Sequence, residues 1–272
     1  MLLALDIGNT NLTCGLFEGE ELSHTFRLST RRTQTADEYA VALRQVVSMR
    51  VPASAPVEAA VVASVVPPLT RAITAAVALA FGVRAERVGH EVKVPLAIAC
   101  DNPAEVGADR LVNAVAARHL LRDEVAEAGI IVVDFGTATT LDCLSPGGEY
   151  LGGIIAPGPH AALDGLIGRT AQLQAVEIMA PPRVLGSNTR HALQSGVVHG
   201  HACMVDGLLQ RLQAELGFPC RVVATGGLAQ LIRAHSAALE RVEPDLTLLG
   251  LRLLSEQSRA VGGEGASLAT KR

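Results

Sequence analysis

Apolar residues along this chain come in two alternating rhythms. The first run, Leu2 to Leu5, is short and strand-like and ends at the polar turn of "DIGNT"; "LTCGLFEGEEL" then resumes an extended pattern with Gly19 in a hairpin turn. Thr35-x-x-Glu38 is a capping box, and Tyr39, Leu43, Val46 and Val47 follow it on one helical face. "VEAAVVASVVPP" reads as a buried strand stopped by Pro67 and Pro68, with a helix from about Leu69 to Phe81 capped by Gly82. Another helix begins near Ala108 and turns Leu111, Val115 and Leu120 inward.

The opening pattern then returns. Ile130 to Val133 is a strand, and an offset of 128 residues lays Asp6 on Asp134, Gly8 on Gly136, Leu16 on Leu144, Gly19 on Gly147 and Glu21 on Glu149. That many coincidences predict a duplicated domain. A helix is expected over Thr189 to Leu216 with Gly217 as its cap. The strand "RVVAT", the turn Gly226-Gly227, the helix "LAQLIRAH" and a last helix from about Pro244 to Ser258 follow. Strands alternating with helices in two copies predict an α/β protein. The expected division is residues 1–115, residues 116–258 and a flexible tail over 259–272, with a ligand cleft expected between the halves.

Composition narrows the possible functions. Hydrophobic residues make up 49% of the 272, ample for a large core, whereas aromatics are only 3% and Trp is absent, which disfavours base stacking. A net charge of −4 argues against general nucleic-acid binding. Asp6 interrupts the first apolar run, so no signal peptide is expected, and the run Ile73 to Val83 is too short for a bilayer of about 20 residues. Five cysteines without a Cys-x-x-Cys fit reduced thiols in a cytoplasm. Lysines number two, Lys93 and Lys271, and neither follows a glycine-rich loop; Gly-x-Gly-x-x-Gly after a strand is missing too. Any nucleotide phosphates must therefore be held by amides, hydroxyls and metal.

Three short segments have that chemistry. "DIGNTN" offers a carboxylate, a glycine and small polar groups, and taken alone it is equally well an ordinary hairpin turn. Its second copy, "DFGTATT", weakens the turn-only reading. Thr225-Gly226-Gly227 lies between a strand and a helix, where paired glycines let a ligand rest on backbone, or merely form a strand-to-helix turn. Asp109, in "GADR", is a candidate general base for a kinase acting on an alcohol. Local rules slightly favour the plainer account, an acidic residue complementing a helix macrodipole, and leave Arg110 as a surface residue or a carboxylate anchor.

Read together, "DIGNTN", "DNPAEVGADRLVNAVAA", "DFGTATTLD", "GGIIAPG", "RTAQL", "TGGLA" and "DLTLLGLRLL" occur in this order from residue 6 to 254, and the chain resembles the type III pantothenate kinases. "NPAEVGADR" with "DFGTATTLD" carries the specificity, since Asp-x-Gly alone marks only the wider superfamily of acetate and sugar kinases, heat-shock chaperones and actin. The resemblance implies a pair of ribonuclease-H-like, actin-like ATPase domains and ATP-dependent phosphorylation of pantothenate, the first step toward coenzyme A. It implies that Asp6, Ile7, Gly8, Asn9, Thr10, Asn11, Leu12 and Thr13 line ATP together with Thr137, with magnesium near Asp6. Gly107, Ala108, Asp109 and Arg110 are implied to bind pantothenate along with Thr189, with Asp109 as the base. Asp134 is implied to hold a monovalent cation, potassium or ammonium. A cytoplasmic homodimer is implied, with no nucleic-acid or membrane partner.

Two departures stand out. Cys100 occupies a position near pantothenate where the family often has an aromatic, and Gln174 replaces a frequent proline. Relatives described as Bvg accessory factors supply a regulatory alternative, and another small-molecule kinase or phosphatase of the superfamily supplies a third.

Overall fold

The computed structural model describes residues 1–272 apart from 53, 125–126 and 270–272, and the backbone alone for 261–269. It divides into two compact units. The first comprises Met1–Pro95, Ala104–Ala116 and Thr247–Arg272, the second Leu96–Pro103 and Ala117–Leu246.

In the first unit β1 (Leu2–Ile7), β2 (Asn11–Glu18) and β3 (Glu21–Ser29) form an antiparallel meander. On the other side of β1, β4 (Ala59–Ser64) and then β5 (Ala85–Arg87) add in parallel, giving the order β3-β2-β1-β4-β5. α1 (Ala36–Ser48) opens with the expected capping box, in which the Glu38 amide donates to Thr35 Oγ1 while the Glu38 carboxylate accepts from the Thr35 amide. α2 (Pro67–Phe81) starts at the first proline of the pair, two residues earlier than expected. Proline lacks only an N–H that the first helical turn leaves unused, so the residues that stop β4 also start the helix. Tyr39 and Leu43 of α1 and Ile73 and Val77 of α2 close over Leu3, Leu5 and Val62 of the sheet as one core.

The second unit repeats this plan. β6 (Gly129–Phe135), β7 (Ala138–Leu144) and β8 (Tyr150–Pro157) form the meander, and β9 (Cys220–Thr225) and β10 (Arg241–Val242) add in parallel. α4 (Pro159–Ile167) follows β8, and α5 runs over Thr189–Leu216 as expected, from an Asn188 cap to Gly217. α6 (Ala229–Arg233) is shorter than its expected eight residues. The core packs Val198, Ala202 and Val205 of α5 on Ile131, Val133 and Leu141.

The ladders refine the repeat. β6 matches β1 at an offset of 128, but β7 matches β2 at 127: Asp6 faces Thr13 and Asp134 faces Thr140. The β1–β2 turn holds one residue more than the β6–β7 turn, and one residue fewer separates Phe17 from its partner Leu22 than separates Leu144 from Tyr150, so the offset returns to 128 between β3 and β8. The expected match of Leu16 to Leu144 is therefore corrected; Leu144 answers to Phe17, and both sheets carry a bulge at this point.

Two boundaries also change. A single cut at 115 assigns the last helix to the second half, whereas α7 (Leu246–Ala269) joins the first unit from Thr247 onward. Thr247 Oγ1 donates to Asn113 Oδ1 at 2.7 Å, and Gly250 packs against the Val112 backbone so closely that a β-carbon would overlap it. Leu96–Pro103 joins the second unit because Ala97 and Ala99 pair with Tyr150. The last helix continues past Ser258 to Ala269, with no proline to stop it after Pro244. The flexibility expected of the tail concerns largely residues 261–272, whose side chains lie outside the described residues.

Candidate active site

β1 ends in Asp6 and Ile7, and the chain turns through Gly8, Asn9 and Thr10 into β2. The Gly8 amide donates to Asn11 O at 3.0 Å, and Thr30 at the end of β3 braces the turn twice. Its amide donates to Thr10 O at 2.9 Å and its hydroxyl to Gly8 O at 2.7 Å. Asn9, Thr10 and Asn11 are exposed, while Asp6 and Thr13 are half-buried. Ile7 and Leu12 point into the core, so only their backbone is available to a ligand. Beneath the turn, burial and secondarily the charge of Asp6 push the Cys14 thiol far above its ordinary range, and it stays protonated.

The start of α3 (Ala108–Leu120) lies at the same edge of this sheet. Val65, just past β4, donates its amide to Ile7 O at 3.1 Å, and a β-carbon on Gly107 would stand 3.6 Å from Val65 Cγ1. Asp109 folds its carboxylate back over Gly107, where a β-carbon would meet Oδ1 at 2.5 Å, and the Arg110 amide donates to Oδ1 at 2.8 Å. Ala108, Asp109 and Arg110 are half-buried. Asp6 and Asp109 thus both belong to the carboxyl edge of the first sheet, the edge where open α/β sheets take ligands. A cleft of about 520 Å³ adjoins Gly107 and Ala108, walled by Ser64, Thr70, Val88 and His90.

In the second unit Asp134 holds the position of Asp6, between Thr140 on β7 and Thr225 on β9. Thr137 is exposed in the turn, and its carbonyl accepts from the Gly158 amide at 3.2 Å. Gly226 has φ +95°, a conformation that favours glycine, and a β-carbon there would lie 2.7 Å from Asp134 Oδ1 and 2.6 Å from Phe135 O. Carboxylate and carbonyl oxygens therefore line this cradle, a donor set that suits a hard cation. Among the described residues no three or more His, Cys, Asp or Glu side chains group as a metal site.

Each remaining expected residue has local surroundings within its own unit. Cys100 is half-buried in the second unit, 3.8 Å from where a β-carbon on Gly152 would stand, and Thr189 is exposed in the first turn of α5. Gly107 to Arg110 belong to the first unit. Sequence reasoning named Thr13, which faces Asp6, but passed over Thr30, Gly158 and Thr140, which faces Asp134. Only the threonine pair leaves a sequence trace, in Thr13 and Thr140 of the repeat, and the one-residue turn difference hides it from a constant offset.

A family profile described as type III pantothenate kinase matches residues 2–211. A type III pantothenate kinase of Myxococcus xanthus is 48% identical over 262 residues, 96% of this chain and all of the relative. One from Moorella thermoacetica is 45% identical over 258 residues, again over its whole length and 95% of this chain. Among solved structures, a Campylobacter jejuni protein assigned to the Baf family of transcriptional activators has a TM-score of 0.57 at 18% identity, covering 95% of this chain and 99% of its own. The activator of the 2-hydroxyisocaproyl-CoA dehydratase from Clostridium difficile, with bound ADPNP, has a TM-score of 0.52 at 13% identity and covers 97% of each chain. These two likenesses concern the fold alone, mixed five-stranded sheets with helices.

Proposed function

This chain belongs to the type III pantothenate kinases, and from that premise we propose that it transfers the γ-phosphoryl group of ATP to the primary hydroxyl of pantothenate. The products are ADP and 4′-phosphopantothenate, and the reaction is the first step of coenzyme A synthesis. The observation that carries the reading is the Asp109 carboxylate, turned back over Gly107 and fixed by the Arg110 amide at the sheet edge that also ends in Asp6.

Asp109 takes the hydroxyl proton as the pantothenate oxygen bonds to the γ-phosphorus and the bond from phosphorus to the β,γ-bridging oxygen breaks. A carboxylate held by a backbone amide does not need to reorient during that step, which lowers the barrier. Arg110 anchors the pantothenate carboxylate; Thr189 and Cys100 are separate candidate contacts to pantothenate. The amides and hydroxyls of Gly8, Asn9, Thr10 and Thr137 hold phosphate oxygens. Magnesium bound with ATP supplies positive charge to those oxygens, and Asp6 holds it or its waters, because this ion keeps several waters and needs few protein carboxylates. Asp134 and the Phe135 carbonyl hold potassium or ammonium, doing electrostatically what a lysine does in other kinases.

The same reading makes the protein a cytoplasmic homodimer. Light scattering at micromolar concentration tests the self-association. A coupled ADP-release assay with ATP, magnesium, potassium and pantothenate tests the activity, with mass spectrometry of the product. Turnover of other hydroxy acids in preference to pantothenate would overturn the substrate assignment.

A further inference from the structure

β7 and β8 bury a polar pair that the fold itself does not require. Asp142 is fully buried; Tyr150 Oη donates to its Oδ1 at 2.6 Å and Thr140 Oγ1 to its Oδ2 at 3.1 Å. Burying a carboxylate costs several kcal/mol of hydration, which hydrogen bonds only partly restore. The first unit builds the same corner without it. By ladder register Asp142 answers to Gly15 and Tyr150 to Leu22, and there a β-carbon on Gly15 would stand 3.0 Å from Leu22 Cδ1. One copy of the repeat thus fills the corner with hydrocarbon and the other with an acid and a phenol.

What differs is the neighbour of Tyr150. Its amide donates to Ala97 O at 2.8 Å and its carbonyl accepts from the Ala99 amide at 2.8 Å, a short parallel bridge around Ile98. The next residues are Cys100, Asp101 and Asn102, the start of the segment that the proposed function assigns to pantothenate. Tyr150 stands at the bulge between Cys143 and Leu144, where the ladder alone holds the strand less firmly. Fixing its ring from below fixes the direction of its two outward backbone groups. Thr140, which also donates to the carboxylate, is the residue that faces Asp134 across the ladder.

We infer that Asp142 and Tyr150 are a positioning pair for the acceptor substrate, holding residues 97–102 in register through the Tyr150 backbone. The inference rests on the pantothenate kinase reading. It is tested with the full-length protein by Tyr150→Phe and Asp142→Asn, assayed beside the unaltered enzyme. Tyr150→Phe keeps the ring and removes the bond; the expected result is a KM for pantothenate raised about tenfold, a KM for ATP within twofold, and faster hydrogen exchange at the Ala99 amide. Asp142→Asn keeps an acceptor for Tyr150 Oη and is expected to show a smaller change of the same kind. Equal loss in both KM values and kcat, or unchanged pantothenate KM with unchanged Ala99 exchange, overturns the pair's role. An unaltered enzyme that leaves pantothenate untouched overturns the functional reading instead, and the exchange measurement still reports on the clamp.

Discussion

The Oδ1 atom of Asp109 lies 2.5 Å from the point a β-carbon on residue 107 would occupy. Two neighbours in "GADR" are thereby one device: the glycine is the space into which the carboxylate folds. Gly107→Ala must displace that carboxylate, and displacements of about 1 Å cost on the order of 100-fold in rate. Steady-state kinetics should show kcat lowered by about that factor while thermal unfolding changes little. Wild-type kcat in this variant would mean the carboxylate position is irrelevant to turnover.

Asp109→Asn keeps the shape and the Arg110 amide contact but removes the base. A kcat about 10²- to 10⁴-fold lower is expected, with nucleotide affinity, read by calorimetry, within about threefold. Retained turnover would leave the helix-start role of Asp109 as its whole role.

The cradle at Gly226 carries a separate expectation. Activity should depend on potassium or ammonium and fall at least about tenfold in sodium-only buffer, an electrostatic contribution of about 1.4 kcal/mol. Asp134→Ala should abolish the difference between the two buffers. Gly226→Ala, with φ +95° and an oxygen 2.6 Å from its new methyl, should weaken cation activation as well. Equal rates in sodium and potassium would remove the cation from Asp134.

Stability should respond to acid through Glu91. Its carboxylate takes bonds from Arg87 Nε at 3.1 Å and Nη2 at 2.8 Å, and from the Arg87 amide, and these lower its pKa from 4.5 to about 2. A depressed carboxylate stabilises the fold fully above the unfolded value near 4.5 and ceases to do so as pH falls toward 2. Glu91→Gln should therefore lower the urea midpoint at pH 7 and flatten its decline between those limits. Parallel curves for the two proteins would show the ion pair to be neutral for stability.

Some of this was legible in the residues and some was not. Local physics is written locally: Thr35 and Glu38 close a capping box, Gly82 ends α2, Gly217 ends α5, and each needs only residues within a helical turn. Duplication was visible too, because Asp6 and Asp134 end equivalent strands. The amino-acid order also identified the family, through "NPAEVGADR" and "DFGTATTLD", and with it the chemistry to expect. Strand register was another matter, since a turn one residue longer in the first copy moves every β2 match by one, and only the hydrogen-bonded ladder reveals that Thr13 and Thr140 are the equivalent pair. The return of α7 to the first unit, the pairing of Ala97 and Ala99 with Tyr150, and the folding of Asp109 into the gap above Gly107 likewise depend on contacts in space. Pattern along a chain reports what each residue prefers next to its neighbours, and tertiary packing alone decides which distant backbone comes close enough to use that preference.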